Sequence, residues 1–134
     1  MSLDIYAEQL LQNWEHPHNR GKLENASISW HEENTSCGDQ ITVYINVKDD
    51  KIDDVKFEGI GCTISMGSAS ITTDYVKGKD LKSIEKMGPK DVIKIIGVDP
   101  GPSRLHCATL AMRAIKLAVL AYEKKKPDAD ISEL

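Results

Sequence analysis

The chain has 134 residues, 40% hydrophobic and 28% charged, the make-up of an ordinary globular protein with enough chain for one core, read as a single domain over residues 1–134. A formal net charge of −4 leaves no basic excess to neutralise phosphates and argues against nucleic acid as a partner. Three cysteines are too few, and odd in number, for a disulfide framework, so reduced thiols in a cytoplasmic protein are the simpler reading.

The N-terminus, MSLDIYAEQLLQNW, lacks the basic and apolar regions of a signal peptide. Leu3, Tyr6, Leu10 and Trp14 recur at three- and four-residue steps, which predicts an amphipathic helix over residues 3–15. EHPHNRG then breaks it, with Pro17 and Gly21 as punctuation. ASISWH, residues 26–31, is a candidate strand. QITVYINV, residues 40–47, alternates Ile41, Val43, Ile45 and Val47 on one face and is the clearest strand signal. KDDK turns the chain back into IDDVKFEG, residues 52–59, giving an antiparallel meander with one face to cover.

Beyond Gly61 the pattern changes to helices. One is predicted from about Thr63 to Lys77, ended by Gly78, although its serines and threonines are poor helix formers. A short helix follows around residues 80–86, and another runs from Pro89 to Gly97. Ser103 reads as the N-cap of the last helix, whose apolar stripe is Leu105, Ala108, Met112, Ile115, Val119 and Tyr122, with Arg113 and Lys116 outside. Lys124, Lys125 and Lys126 read as its solvated end. No apolar run approaches the ~18 residues of a membrane span, so no membrane association is expected. The fold class is α+β: a three-stranded antiparallel sheet with helices packed on one face.

All three cysteines fall at element boundaries. Cys37 lies in the loop before the best strand, Cys62 opens a helix after GIG, and Cys107 sits in the first turn of the last helix. A helix dipole supplies only about 0.3–1 kcal/mol to a thiolate, whereas a metal ion removes the thiol proton outright. Asp39 stands two residues from Cys37, and His106 stands next to Cys107. Four-coordinate sites for zinc or iron take three thiolates with either a histidine or an aspartate. His106 and Cys107 reach one point only if the helix start is irregular or mobile, which suggests alternative ligands. Gly38 would let Cys37 and Asp39 approach one metal without a side chain between them. His16, His18 and His31 lack such neighbours and read as surface residues. A nucleophile–base pair of Cys107 and His106 is disfavoured, because sequence neighbours have poor geometry for proton transfer.

Five segments, in order, resemble the U-type iron–sulfur cluster scaffold family, to which IscU and the N-terminal domain of NifU belong: YAEQLLQNWEHPHNRG, SCGDQ, FEGIGCTISMGSAS, VKGK and LHCATLA. The resemblance covers nearly the whole chain. It implies a [2Fe–2S] assembly site at a loop and helix N-termini, with thiolates from Cys37, Cys62 and Cys107 and with Asp39 or His106 as the fourth ligand or a helper. It implies sulfur delivered as a persulfide by a cysteine desulfurase, with Cys107 the preferred acceptor, and transfer of the cluster to apo iron–sulfur proteins. Zinc would occupy the same ligands when iron and sulfur are absent. Tyr6 matches a tyrosine associated in the family with a homodimer. The protein is then a scaffold and sulfur acceptor rather than an enzyme; the rival reading is a zinc protein that regulates or activates a desulfurase.

The chain departs from the family at three places. PGPSR, residues 100–104, stands where Leu-Pro-Pro-Val-Lys binds a dedicated chaperone, keeping only the positive charge at Arg104. His16 and His18 replace the usual asparagine and arginine of the first loop. The 44 residues between Cys62 and Cys107 leave no room for the insertion typical of zinc-dependent SufU proteins, which favours the IscU-like branch.

Overall fold

A computed structural model describes residues 2–36, 38–124 and 134. Helix α1 (Ser2–Glu15) leads through a loop to strands β1 (Ile28–Asn34), β2 (Asp39–Lys48) and β3 (Lys51–Ile60). Helices α2 (Thr63–Val76), α3 (Leu81–Glu85), α4 (Pro89–Ile96) and α5 (Leu105–Glu123) follow. The sheet is an antiparallel meander in the order β1-β2-β3. Its hairpin turn is built on Asp49 and Asp50, both with positive φ, the pair of left-handed residues that matches strand twist. The alternation expected of β2 holds: Ile41, Val43 and Ile45 are buried, and so are Val55 and Phe57 across the register. Each such side chain contributes about 1.5–3 kcal/mol by leaving water.

The core forms where this face meets α5 and α2, with Ala108, Met112, Ile115 and Val119 of α5 and Met66 and Ala69 of α2 among its members. Small residues on both helices let them lie close to each other and to the sheet. The loop after α1 is tied to α2 by polar contacts. His18 Nδ1 lies 2.5 Å from Asp74 Oδ2, and Asn19 donates to Asp74 Oδ1 at 2.8 Å. Partial burial would raise the Asp74 carboxyl, but hydrogen bonds from His18 and Asn19 and the charges of His18 and Lys77 outweigh it and hold the group below its ordinary value. His18 and His31 are surface residues, as expected, though His31 is engaged by Thr42 and Glu33.

Four expectations change. Ser103 does not cap the last helix: Gly101, at φ +80°, turns the chain into a 3₁₀ turn, Pro102–Arg104, that runs directly into α5 and leaves Ser103 inside it. Lys116 is not outside. It is fully buried, and its Nζ donates to the Met87 carbonyl at 2.9 Å. The reason is that α5 is enclosed on nearly every side, so a single apolar stripe underestimates its burial. Third, the segment Pro102–Glu123 is long and apolar enough by length and composition to cross a membrane, but 67% of its most apolar window is buried inside the protein, as befits a central core helix. Finally, of the expected α1 stripe, Leu10 is buried, whereas Tyr6 and Trp14 remain 41% and 42% exposed. Lys125 and Lys126 lie outside the described residues.

Candidate metal centre

The strand register places the first of the site residues. Asp39 opens β2 opposite Asn34 of β1, and its neighbour Gln40 pairs with Ile60 at the end of β3. Asp39 shares the inward face with Ile41 and Val43, so its side chain points toward the helices instead of toward water; it is only 4% exposed. From Ile60 the chain passes through Gly61 to Cys62, the N-cap of α2. Its extended backbone, φ −75° and ψ 173°, is the usual conformation of a capping residue. The cap is made by sulfur: the Ser65 N–H donates to Cys62 Sγ at 3.4 Å. Helix α5 packs on β1 and β2, which carries Cys107 in its first turn to the same end of the sheet. There the Asn34 side-chain amide reaches Cys107 Sγ at 3.9 Å.

Asp39, Cys62 and Cys107 therefore converge, each offering one ligand atom, with those atoms within 4.8 Å of one another. Asp39 is also bonded to the Cys62 unit. Its Oδ1 accepts from the Cys62 N–H at 3.3 Å, and its Oδ2 lies 3.7 Å from Cys62 Sγ. Neither Cys62 nor Cys107 is in a disulfide. Donor atoms that each bind one zinc ion at about 2.0–2.3 Å are at most about twice that distance apart. An upper bound of 4.8 Å is close to that limit, and the Asp39–Cys62 pair, at 3.7 Å, lies within it. Two soft sulfurs and a hard oxygen suit zinc or iron, so the residues present fit such a group.

Cys37 lies outside the described residues. Its neighbour Gly38 has φ +76°, and among the described residues, its chain neighbours aside, nothing stands within 4 Å of where its Cβ would be. A left-handed backbone of this kind favours glycine. His106 does not join the group of three. It is exposed, and its Nδ1 lies 2.7 Å from the Leu134 carbonyl oxygen. A 3₁₀ turn precedes Leu105, but His106 and Cys107 themselves lie within α5, and the imidazole is engaged elsewhere. Sequence reading missed Ser65. This side chain is 1% exposed, with Oγ 3.5 Å from Cys62 Sγ and 3.1 Å from the Cys62 carbonyl oxygen. The signal was its position three residues after a cysteine that caps a helix.

Residues 5–129 match the NifU-like N terminal domain family. The chain is 34% identical to iron–sulfur cluster assembly scaffold protein IscU 1 of Archaeoglobus fulgidus over 97% of this chain and 85% of that protein. It is 33% identical to the zinc-dependent sulfurtransferase SufU of Bacillus subtilis over 89% of this chain and 92% of that one. Among solved structures, a candidate SUF-system scaffold from Fervidobacterium islandicum superposes with a TM-score of 0.70 at 30% identity, covering 89% of this chain and 99% of that one. IscU-named and SufU-named relatives stand at the same distance, so identity does not favour the IscU-like branch that the short Cys62–Cys107 interval suggested. With the family's residues matched over most of its length, and with a carboxylate and two thiols converging at one end of the sheet, the chain belongs to the NifU-like N-terminal domain family.

Proposed function

We propose that the protein is a scaffold on which a [2Fe–2S] cluster is assembled from iron and desulfurase-derived sulfur and then passed to apo-proteins. The convergence of Asp39, Cys62 and Cys107 within 4.8 Å carries this reading; the iron–sulfur scaffold relatives support it. Cys37, Cys62 and Cys107 supply thiolates, and Asp39 is the fourth ligand. His106, turned to Leu134, is the alternative that exchanges with Asp39.

The ligand set explains why holding is temporary. Four thiolates make a soft, electron-rich cage for a cluster. A carboxylate is harder and binds iron–sulfur cargo less tenaciously. Sulfur enters when the Cys107 thiolate attacks the terminal sulfur of a desulfurase persulfide. The S–S bond breaks, the donor cysteine leaves as thiolate, and Cys107 carries the persulfide. Because Cys107 is only 6% exposed, docking of the desulfurase must open the start of α5. The other partners are the apo-proteins that take the cluster, and a homodimer through the exposed Tyr6 is part of the same proposal.

The zinc-dependent SufU relative favours one second reading, a zinc protein that accepts sulfur from a desulfurase. Anaerobic reconstitution with iron, cysteine and a desulfurase separates the two. The scaffold should develop visible charge-transfer absorption and pass its cluster to an apo-ferredoxin, and the Asp39→Ala protein should keep its cluster longer and transfer it more slowly. No visible absorption, together with tight stoichiometric zinc, would establish the second reading instead. Equal transfer rates from variant and wild type would remove Asp39 from the proposed role.

A further inference from the structure

The environment of the Cys62 sulfur contains more than ligands. Ser65 donates its backbone N–H to it at 3.4 Å and places its hydroxyl oxygen 3.5 Å away, while the same hydroxyl donates to the Cys62 carbonyl oxygen at 3.1 Å. Ser65 is 1% exposed, so its hydroxyl is shielded from water and bonds in a low local dielectric. On the other side, Asp39 contacts both the N–H and the sulfur of Cys62. Gly61 is walled in by the same two side chains: a Cβ there would lie 2.3 Å from Ser65 Oγ and 3.1 Å from Asp39 Cγ. Ser65 thus stands inside the cluster of candidate ligands without being one of them.

The hydroxyl has two uses, depending on the state of the sulfur. When Cys62 is a thiol, its S–H is directed to Asp39 Oδ2 or Ser65 Oγ, and the Ser65 O–H is free to donate to the Cys62 carbonyl. When the sulfur is a metal-bound thiolate it has no proton, and the Ser65 O–H can turn to it. A hydrogen bond to a ligating sulfur withdraws electron density from the metal–sulfur bond, one of the ways a protein tunes a metal or iron–sulfur centre.

We propose that Ser65 is a positioning residue whose hydroxyl moderates the donor strength of Cys62, so that this thiolate releases its metal or cluster more readily than an unmodified cysteine would. The inference rests on the metal-binding role proposed above and adds a specific device to it. Asp39 makes the cage labile through the identity of a ligand; Ser65 does so through the electronics of a thiolate.

The test loads the full chain with Co(II), whose sulfur-to-cobalt charge-transfer band reports thiolate donation directly. Ser65→Ala removes one oxygen and replaces a modest helix former with the best one, so the fold should be retained. Its charge-transfer band should move to longer wavelength, and removal of Co(II) by a chelator should slow by about tenfold, the size of the smaller outer-shell effects but of opposite sign, because this hydrogen bond weakens the ligand it touches. Ser68→Ala, one turn along the same helix and fully buried, should leave both readings at wild-type values. An unmoved band and rate in a folded Ser65→Ala protein would overturn the inference alone, and so would an equal shift in Ser68→Ala. A wild type with no thiolate–cobalt band would overturn the metal-binding reading, and this inference with it.

Discussion

Gly61 shows how little space the site leaves. Its φ is one that any residue can adopt, so alanine there meets no backbone strain, only contact. The added carbon would lie 2.3 Å from Ser65 Oγ and 3.1 Å from Asp39 Cγ, both near the tips of short side chains that can rotate away. The fold therefore accommodates Gly61→Ala, while the ligand environment does not. Displacing Asp39, a candidate ligand, should weaken zinc binding at least as much as loss of an outer-shell partner does, about 10–100-fold, which outweighs the slower release expected from moving Ser65 alone, with a thermal midpoint close to wild type. Competition titration against a chromophoric chelator measures the first quantity, and calorimetry the second; unchanged zinc affinity would mean that the cluster tolerates a looser Asp39. At this scale much of the site could be read in advance. Asp39, Cys62 and Cys107 carry metal-binding chemistry and fall at element boundaries, and the structure brings them together. His106 carries it too, yet a contact with Leu134, 28 positions away in the chain, holds its ring, and no local pattern encodes that. Ser65 was hidden because it is one of several small polar residues in the run TISMGSAS, and only the cap geometry at Cys62 distinguishes it.

The elements were legible where a periodic pattern coincided with a boundary signal. β2 and β3 alternate as expected, and α4 begins at Pro89 and stops before Gly97, which takes the left-handed φ of +77°. The last helix began differently from expectation because Gly101 and Pro102 impose a 3₁₀ turn before Ser103 can cap anything. Helix α2 was the least secure by propensity, since Ser, Thr and Gly all oppose helix formation. Its packing shows what those residues supply. Gly67 faces α1 so closely that a Cβ would lie 2.6 Å from the Leu10 carbonyl oxygen and 2.9 Å from Leu10 Cδ1. In a solvated helix Gly→Ala stabilises by about 1 kcal/mol. Here the obstacle is backbone, which cannot rotate aside, and overpacking costs about 1–3 kcal/mol. The two effects oppose each other, and the clash should win: Gly67→Ala is expected to be destabilised by about 1 kcal/mol net in urea denaturation, with weakened docking of α1. A Gly67→Ala protein more stable than wild type would mean that α1 yields to the added methyl at little cost.

For the molecule as a whole, α5 organises everything else. It carries Cys107 at its start, packs on the sheet and on α2 along its length, and buries twelve of its nineteen residues. The buried residues of such a helix could have been entirely apolar, and Thr109 and Lys116 are the exceptions, Lys116 the only charged one. Its Nζ reaches the Met87 carbonyl, in the connection between α3 and α4, so one buried side chain fastens the small helices to the core. Sequence pattern could not reveal this, because a lysine beside an apolar stripe ordinarily points to solvent. Replacing it with methionine keeps a long flexible stem that fills the same space and removes the donor from a half-buried carbonyl. Leaving such a group without its partner costs about 1–3 kcal/mol, so Lys116→Met should lower stability by that amount. Lys116→Ala adds a cavity and should cost more, about 2–5 kcal/mol for a buried large-to-Ala truncation. Urea denaturation of both variants gives the comparison, and hydrogen exchange locates the loss: amides of α3 and α4 should lose protection first, while β2 and β3 keep theirs. Zinc affinity should change little in Lys116→Met, because the contact at Met87 lies far along α5 from Cys107. Equal stabilities of Lys116→Met and wild type would show that the amine contributes nothing beyond its stem, and that the attachment of α3 and α4 rests on Leu81, Ile84, Val92 and Ile96 alone.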